Sequence, residues 1–168
     1  MEAKIPFYQL LNILLTGLVL SAGIVIFFSS EVQIFLGASK PFWKHSELIS
    51  SIVFIAVSYE AGLIVNRLGS VLLEPAMIRI GAIPFDKNYK HFNEAKKQYP
   101  ILEVLSREYA SSRTNVVMFL TLSPICFLHG RCIAGFSFLV VAALFFLSWR
   151  KHAWKIVSLM KKGKEESN

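Results

Sequence analysis

The 168-residue sequence lacks catalytic equipment. It has no phosphate-cradling glycine loop, no His-Glu-x-x-His pair and no paired-cysteine metal spacing, which leaves the common nucleotide-hydrolase and zinc chemistries without their residues. Its four histidines, His45, His91, His129 and His152, fall on both sides of the topology derived below, so one copy cannot gather them into a site. Ser106 and Ser112 have no histidine within helical reach. No catalytic residue, metal ligand or cofactor is therefore expected. Cysteine is equally scarce. Cys126 and Cys132 flank one tight turn, where an oxidising compartment would let them pair; the preferred reading is two small apolar residues inside helices.

What the sequence has is long apolar runs. Hydrophobic residues make up 54 % of the chain and the mean hydropathy is +0.52, above the roughly 45–50 % of soluble domains. The excess sits in blocks, and a hydrocarbon layer of about 30 Å takes roughly 20 helical residues to cross. Residues 10–28, 114–129 and 132–148 carry no charge, and 48–65 carry only Glu60, the helix extending to about 68. The third and fourth blocks are short, and only "HGR" (129–131) separates them, as in a helical hairpin. Block one runs past any small-residue cleavage site, so it is expected to stay as a helix.

The expected fold is all-α: an integral membrane protein with four transmembrane helices and cytoplasmic helical extensions at 69–113 and 149–168. Fifteen Lys and Arg fall on the side holding both termini, against Lys40, Lys44 and Arg131 on the other. The positive-inside rule then places both termini in the cytoplasm. In a bacterium this is a multi-pass inner-membrane protein. Trp43 on one side, with Trp149 and Trp154 on the other, suits the interfacial belts. The loop 29–47 is too short for a domain, and its "VQIFLG" is expected in the interface. Within the cytoplasmic layer, Asp86 is a plausible N-cap for an amphipathic helix over 86–99, ended by Pro100. A new helix from about 101 runs on into block three, with a kink expected at Pro124.

Glu60, Arg67 and Glu74 follow one another at heptad spacing down the second block. At 1.5 Å per residue Glu60 lies about 18 Å below Leu48, inside the hydrocarbon. On a regular helix the three drift only about 20° per heptad and form one stripe, with Asn66 and Ser70 beside it. A charge facing lipid at that depth costs a few kcal/mol or more. The stripe must face protein or water, either lining a pathway around a symmetry axis or forming a structural ion pair of Glu60 with Arg67 or Arg113. A second strip, Ser51, Ser58, Gly62 and Gly69, with Gly17 and Ser21 of block one, suits close helix contact.

A second candidate surface is basic. Lys87, Lys90, Lys96, Lys97, Arg107 and Arg113 are interleaved with Tyr89, Phe92, Tyr99 and Tyr109. Such a surface can hold phosphates and stack bases, or simply balance anionic lipids. A chain this small has few ways to hide its polar groups alone, so a homo-oligomer is expected, a tetramer for choice.

The segments "YEAGLIVNRLGSVLLEP" and "YPILEVLSREYASSRTNVVMFL" resemble the small four-helix membrane proteins of bacterial anti-phage defence systems. The Hailong-type channel effector, which is paired with a nucleotidyltransferase, is the nearer likeness; the Kiwa-type membrane sensor is the next. The resemblance covers about residues 58–120. It implies an oligomeric ion channel opened by a nucleotide or nucleic-acid-like ligand. Glu60, Asn66 and Arg67 would then face the pore, and the 87–113 basic set would meet the oligonucleotide or a partner protein. The alternative is a non-conducting sensor or scaffold that recruits a soluble partner.

Overall fold

The computed structural model describes residues 7–28, 47–84 and 89–166. These are helical apart from short connections, with no strand among them. In chain order they form α1 (Phe7–Phe27), α2 (Glu47–Leu68), a π-helical turn (Gly69–Leu73), α3 (Glu74–Arg79), α4 (Tyr89–Gln98), α5 (Ile101–Leu128) and α6 (Cys132–Glu166). The loop 29–46 with Trp43, the proposed cap Asp86 and Lys87 lie outside the described residues.

The long helices alternate in direction. Gly17 of α1 packs on Ser58 of α2, and Gly62 of α2 on Ile13 of α1. α5 runs parallel to α1, from Tyr8 beside Glu108 to Phe28 beside His129. α6 returns antiparallel along α5, from Gly135 beside Ser123 to Trp149 beside Tyr109. The start of α1 and the end of α6 therefore share one end of the bundle.

Small residues set the α1–α2 distance. A methyl group at Gly17 would collide with the Ser58 carbonyl, and one at Gly62 with that of Ile13. The two backbones touch because both helices lack side chains there, as the small strip led one to expect. The α5–α6 hairpin closes in three residues. Gly130 takes a left-handed φ of +70°, its N–H donates to the Phe127 carbonyl, and the Arg131 N–H donates to that of Cys126. This pair of bonds is a Schellman motif. Gly81 repeats it at the end of α3, with Gly81 donating to Ile78 and Ala82 to Met77.

Three helical stretches are long and apolar enough to cross a membrane: Phe7–Phe27, Leu48–Arg79 and Cys132–Gly163. About a fifth of each apolar window is buried in the bundle. The outward residues include Leu15, Ile26, Val57, Ile133 and Leu144, each at least half exposed, a pattern water would penalise and acyl chains would not. The expected fourth span lies on α5, which is not among these three stretches. α5 carries Ser112, Thr114 and Ser123, and all three are buried together with Val116, Met118, Leu122 and Cys126. It is the inner helix, packed by α1, α2 and α6, so its polar groups meet protein. α5 continues unbroken through Pro124 to Leu128.

Candidate functional site: a buried ion pair beside a π turn

The heptad row does not survive as one stripe. α2 is regular through Leu68, then Gly69–Leu73 form a π turn in which the Glu74 N–H reaches the Gly69 carbonyl five residues back. The turn holds one residue more than an α turn would, so everything beyond it rotates back by about 100°. Glu74 thereby occupies the angular place residue 73 would hold on a regular helix. It leaves the Glu60–Arg67 row and joins the Asn66–Ser70 face.

On that face α5 presents its partners. Arg113 forms an ion pair with Glu74 through Nη1. Its Nη2 donates to Asn66 Oδ1 at 3.3 Å, and Thr114 Oγ1 donates to the same oxygen at 3.0 Å. Tyr109 donates its hydroxyl to Glu74 Oε1 at 2.8 Å. Glu74 and Arg113 retain 14 % and 11 % side-chain exposure. Gly69 leaves room for the Arg113 side chain: a methyl there would lie a tight 3.3 Å from Arg113 Cγ and Nε. Arg113 Nε is buried without a hydrogen-bond partner. Burial above all, and then the Glu74 charge, raises the Tyr109 hydroxyl well above its ordinary value, so it stays a protonated donor. The ion pairs weighed in the sequence, Glu60 with Arg67 or with Arg113, do not form among the described residues; Arg113 pairs with Glu74 instead.

Glu60 and Arg67 remain on the outer surface. Both are exposed, and neither has an ion pair or side-chain hydrogen bond among the described residues. Around them Ile64, Leu68 and Val71 are also exposed. Among the described residues the only side-chain bond at Ser70 is to the Arg67 carbonyl, at 3.0 Å.

The basic set divides in the same way. Lys96 and Arg107 both pair with Glu103, joining α4 to α5. Their hydrogen bonds, Lys96 first, hold the Glu103 carboxyl below its usual range. Arg113 is consumed by Glu74. Lys97 is exposed and unpaired among the described residues; Lys90 lies in the first turn of α4. No cluster of three metal-ligating side chains occurs among the described residues. Cys126 is buried, Cys132 exposed, and both are free thiols.

Above the ion pair lies a cavity of about 1000 Å³ that no sequence pattern announced. It is bounded by the π turn, α3, α4, the start of α5 and the end of α6. Pro75, Ile78, Phe92, Ile156 and Val157 form much of its wall, and Glu74, Tyr109 and Arg113 reach it from below. No known protein family matches the chain, and no curated protein or solved structure matches it either.

Proposed function

We propose that the chain is a four-span inner-membrane protein, both termini cytoplasmic, that assembles with copies of itself into an ion channel. The observation that carries this reading is the pair Glu60 and Arg67. Both sit exposed on a helix apolar enough to cross a membrane, without an ion pair among the described residues. Facing lipid would cost Glu60 a few kcal/mol or more, while Arg67, about 28 Å below Leu48, lies at the edge of the hydrocarbon. A neighbouring subunit or a water-filled path removes that cost, and either requires assembly. Asn66, Ser70 and Glu74 then support the lining helix from behind. The resemblance to anti-phage effectors supplies a biological setting, with a nucleotide, an oligonucleotide or a partner protein acting on the basic cytoplasmic layer.

The test is ion flux from liposomes holding the purified protein. Wild type should conduct once assembled. Glu60→Gln and Arg67→Gln should each change conductance or cation–anion preference, because each removes one unpaired charge from the lining. Unchanged flux in both variants, or a protein that stays monomeric in nanodiscs, removes the proposal.

A scaffold reading has one observation in its favour. Arg150, Lys151, Lys155, Lys161 and Lys162 are all exposed on α6, while Lys96, Arg107 and Arg113 are spent on internal carboxylates. That free basic surface suits an acidic soluble partner. Capture of such a partner that Lys155→Glu and Lys161→Glu abolish, with no ion flux, would select this reading.

A further inference from the structure

The cavity at the polar end has the composition of an amphiphile site. Its wall is apolar, with Met160 closing the α6 side, and its volume is at the upper end of the roughly 300–1,000 Å³ typical of ligand pockets. Three charged side chains line it among the described residues: Glu74, Arg79 and Arg113. Glu74 and Arg113 neutralise each other. Arg79 is left over, exposed and without an ion pair among the described residues. Asn93 and Ser106, also on the lining, hold no side-chain hydrogen bond there. The site therefore offers one uncompensated cation, two free hydrogen-bonding groups and a long apolar wall.

Its location decides the source of the occupant. The cavity is walled in part by the last turns of the apolar stretch Leu48–Arg79, next in sequence to Ile80, which is 68 % exposed. A molecule entering there comes from the headgroup layer. We infer that the cavity binds an anionic phospholipid of the adjoining leaflet, its phosphate on Arg79 with Asn93 and Ser106, and an acyl chain along Pro75, Ile78, Phe92 and Val157. This narrows the general expectation of anionic lipids to one built site. It requires only that this end of the bundle lie at a membrane surface, so ion flux tests the channel reading separately.

The experiment is native mass spectrometry of the full chain released from mixed micelles. Phosphatidylglycerol and phosphatidylcholine of equal chain length are supplied, with inorganic phosphate as a third arm. Phosphatidylglycerol should be retained at least fivefold more than phosphatidylcholine, and phosphate alone should not bind. Arg79→Gln, an exposed change that spares the packing, should bring the two lipids to parity. Ile78→Trp, which fills the wall, should release both while thermal unfolding stays within a few degrees of wild type. Equal retention of the lipids by wild type, retention of neither, or unaltered preference in Arg79→Gln overturns the inference. Binding of phosphate alone with the lipid's affinity overturns the acyl-chain part.

Discussion

At the scale of single residues the Glu74–Arg113 pair is the most consequential interaction. Both partners are nearly nine-tenths buried, so removing one strands the other. Glu74→Ala should cost about 3 kcal/mol of unfolding free energy, in the range for a broken buried pair. The double change Glu74→Leu with Arg113→Met should cost clearly less than a broken pair, since no buried charge is left alone, although Tyr109 loses its acceptor and Asn66 one donor. Denaturant unfolding in a fixed micelle compares the three proteins. Tyr109→Phe, which loses one hydrogen bond to a charged acceptor, should cost about 2 kcal/mol. Glu103 makes a pH-dependent contribution. Its folded value is lowered from the ordinary 4.5, so the stability it adds is complete above that value and is lost as pH falls through the lower, folded one. The difference in melting temperature between wild type and Glu103→Gln should therefore be present at pH 7 and shrink below about pH 4.5. Glu60 and Arg67 were legible in the sequence as residues needing cover, because charge in an apolar run is visible without coordinates. The Tyr109 and Thr114 contacts were not, since nothing in a hydroxyl's position along the chain tells which carboxylate or amide it meets.

At the scale of elements, periodicity served well wherever helices were regular. The end of α1, the start of α5 after Pro100 and the three-residue hairpin follow from apolar blocks and punctuating residues, while α1 begins at Phe7, three residues before its apolar block. The π turn broke the inference, because heptad reasoning assumes 100° at every step and no residue type marks the exception. Gly69 is the closest thing to a signal, and it reads equally well as a packing glycine. The turn yields a direct prediction. It contains one residue more than α geometry needs, so deleting Val71, which is exposed, should convert it to α-helix while leaving Glu74 on Arg113. The deletion variant should keep its helical content and most of its stability. Inserting an alanine after Val71 should rotate Glu74 away and lose about as much as Glu74→Ala. The glycine contact between α1 and α2 is less forgiving: Gly17→Leu should disrupt the bundle, seen as faster proteolysis, since the colliding atoms are backbone.

At the scale of the whole molecule, charge and apolarity divide the bundle into unlike ends. Among the described residues Arg131 is the one Lys or Arg at the hairpin end, and the others gather at the end shared by α4 and the tail of α6. The sequence conveyed that asymmetry fully. It conveyed less about which helix is innermost, because an apolar run reads the same whether it faces lipid or protein. α5 is set apart by its buried hydroxyls, and those become informative only once neighbours are in place. α6 spans 35 residues, about 50 Å at 1.5 Å per residue, against about 30 Å of hydrocarbon. Between Phe136 and Lys162 it contains neither glycine nor proline. Its far portion packs Met160 with Ala95 and Leu102, and its middle seats Trp149 with Val116 and Ile83. One stiff rod thus belongs to both layers, with no linker at which to cut. Severing that helix anywhere between Trp149 and Met160 would part the two clusters it joins.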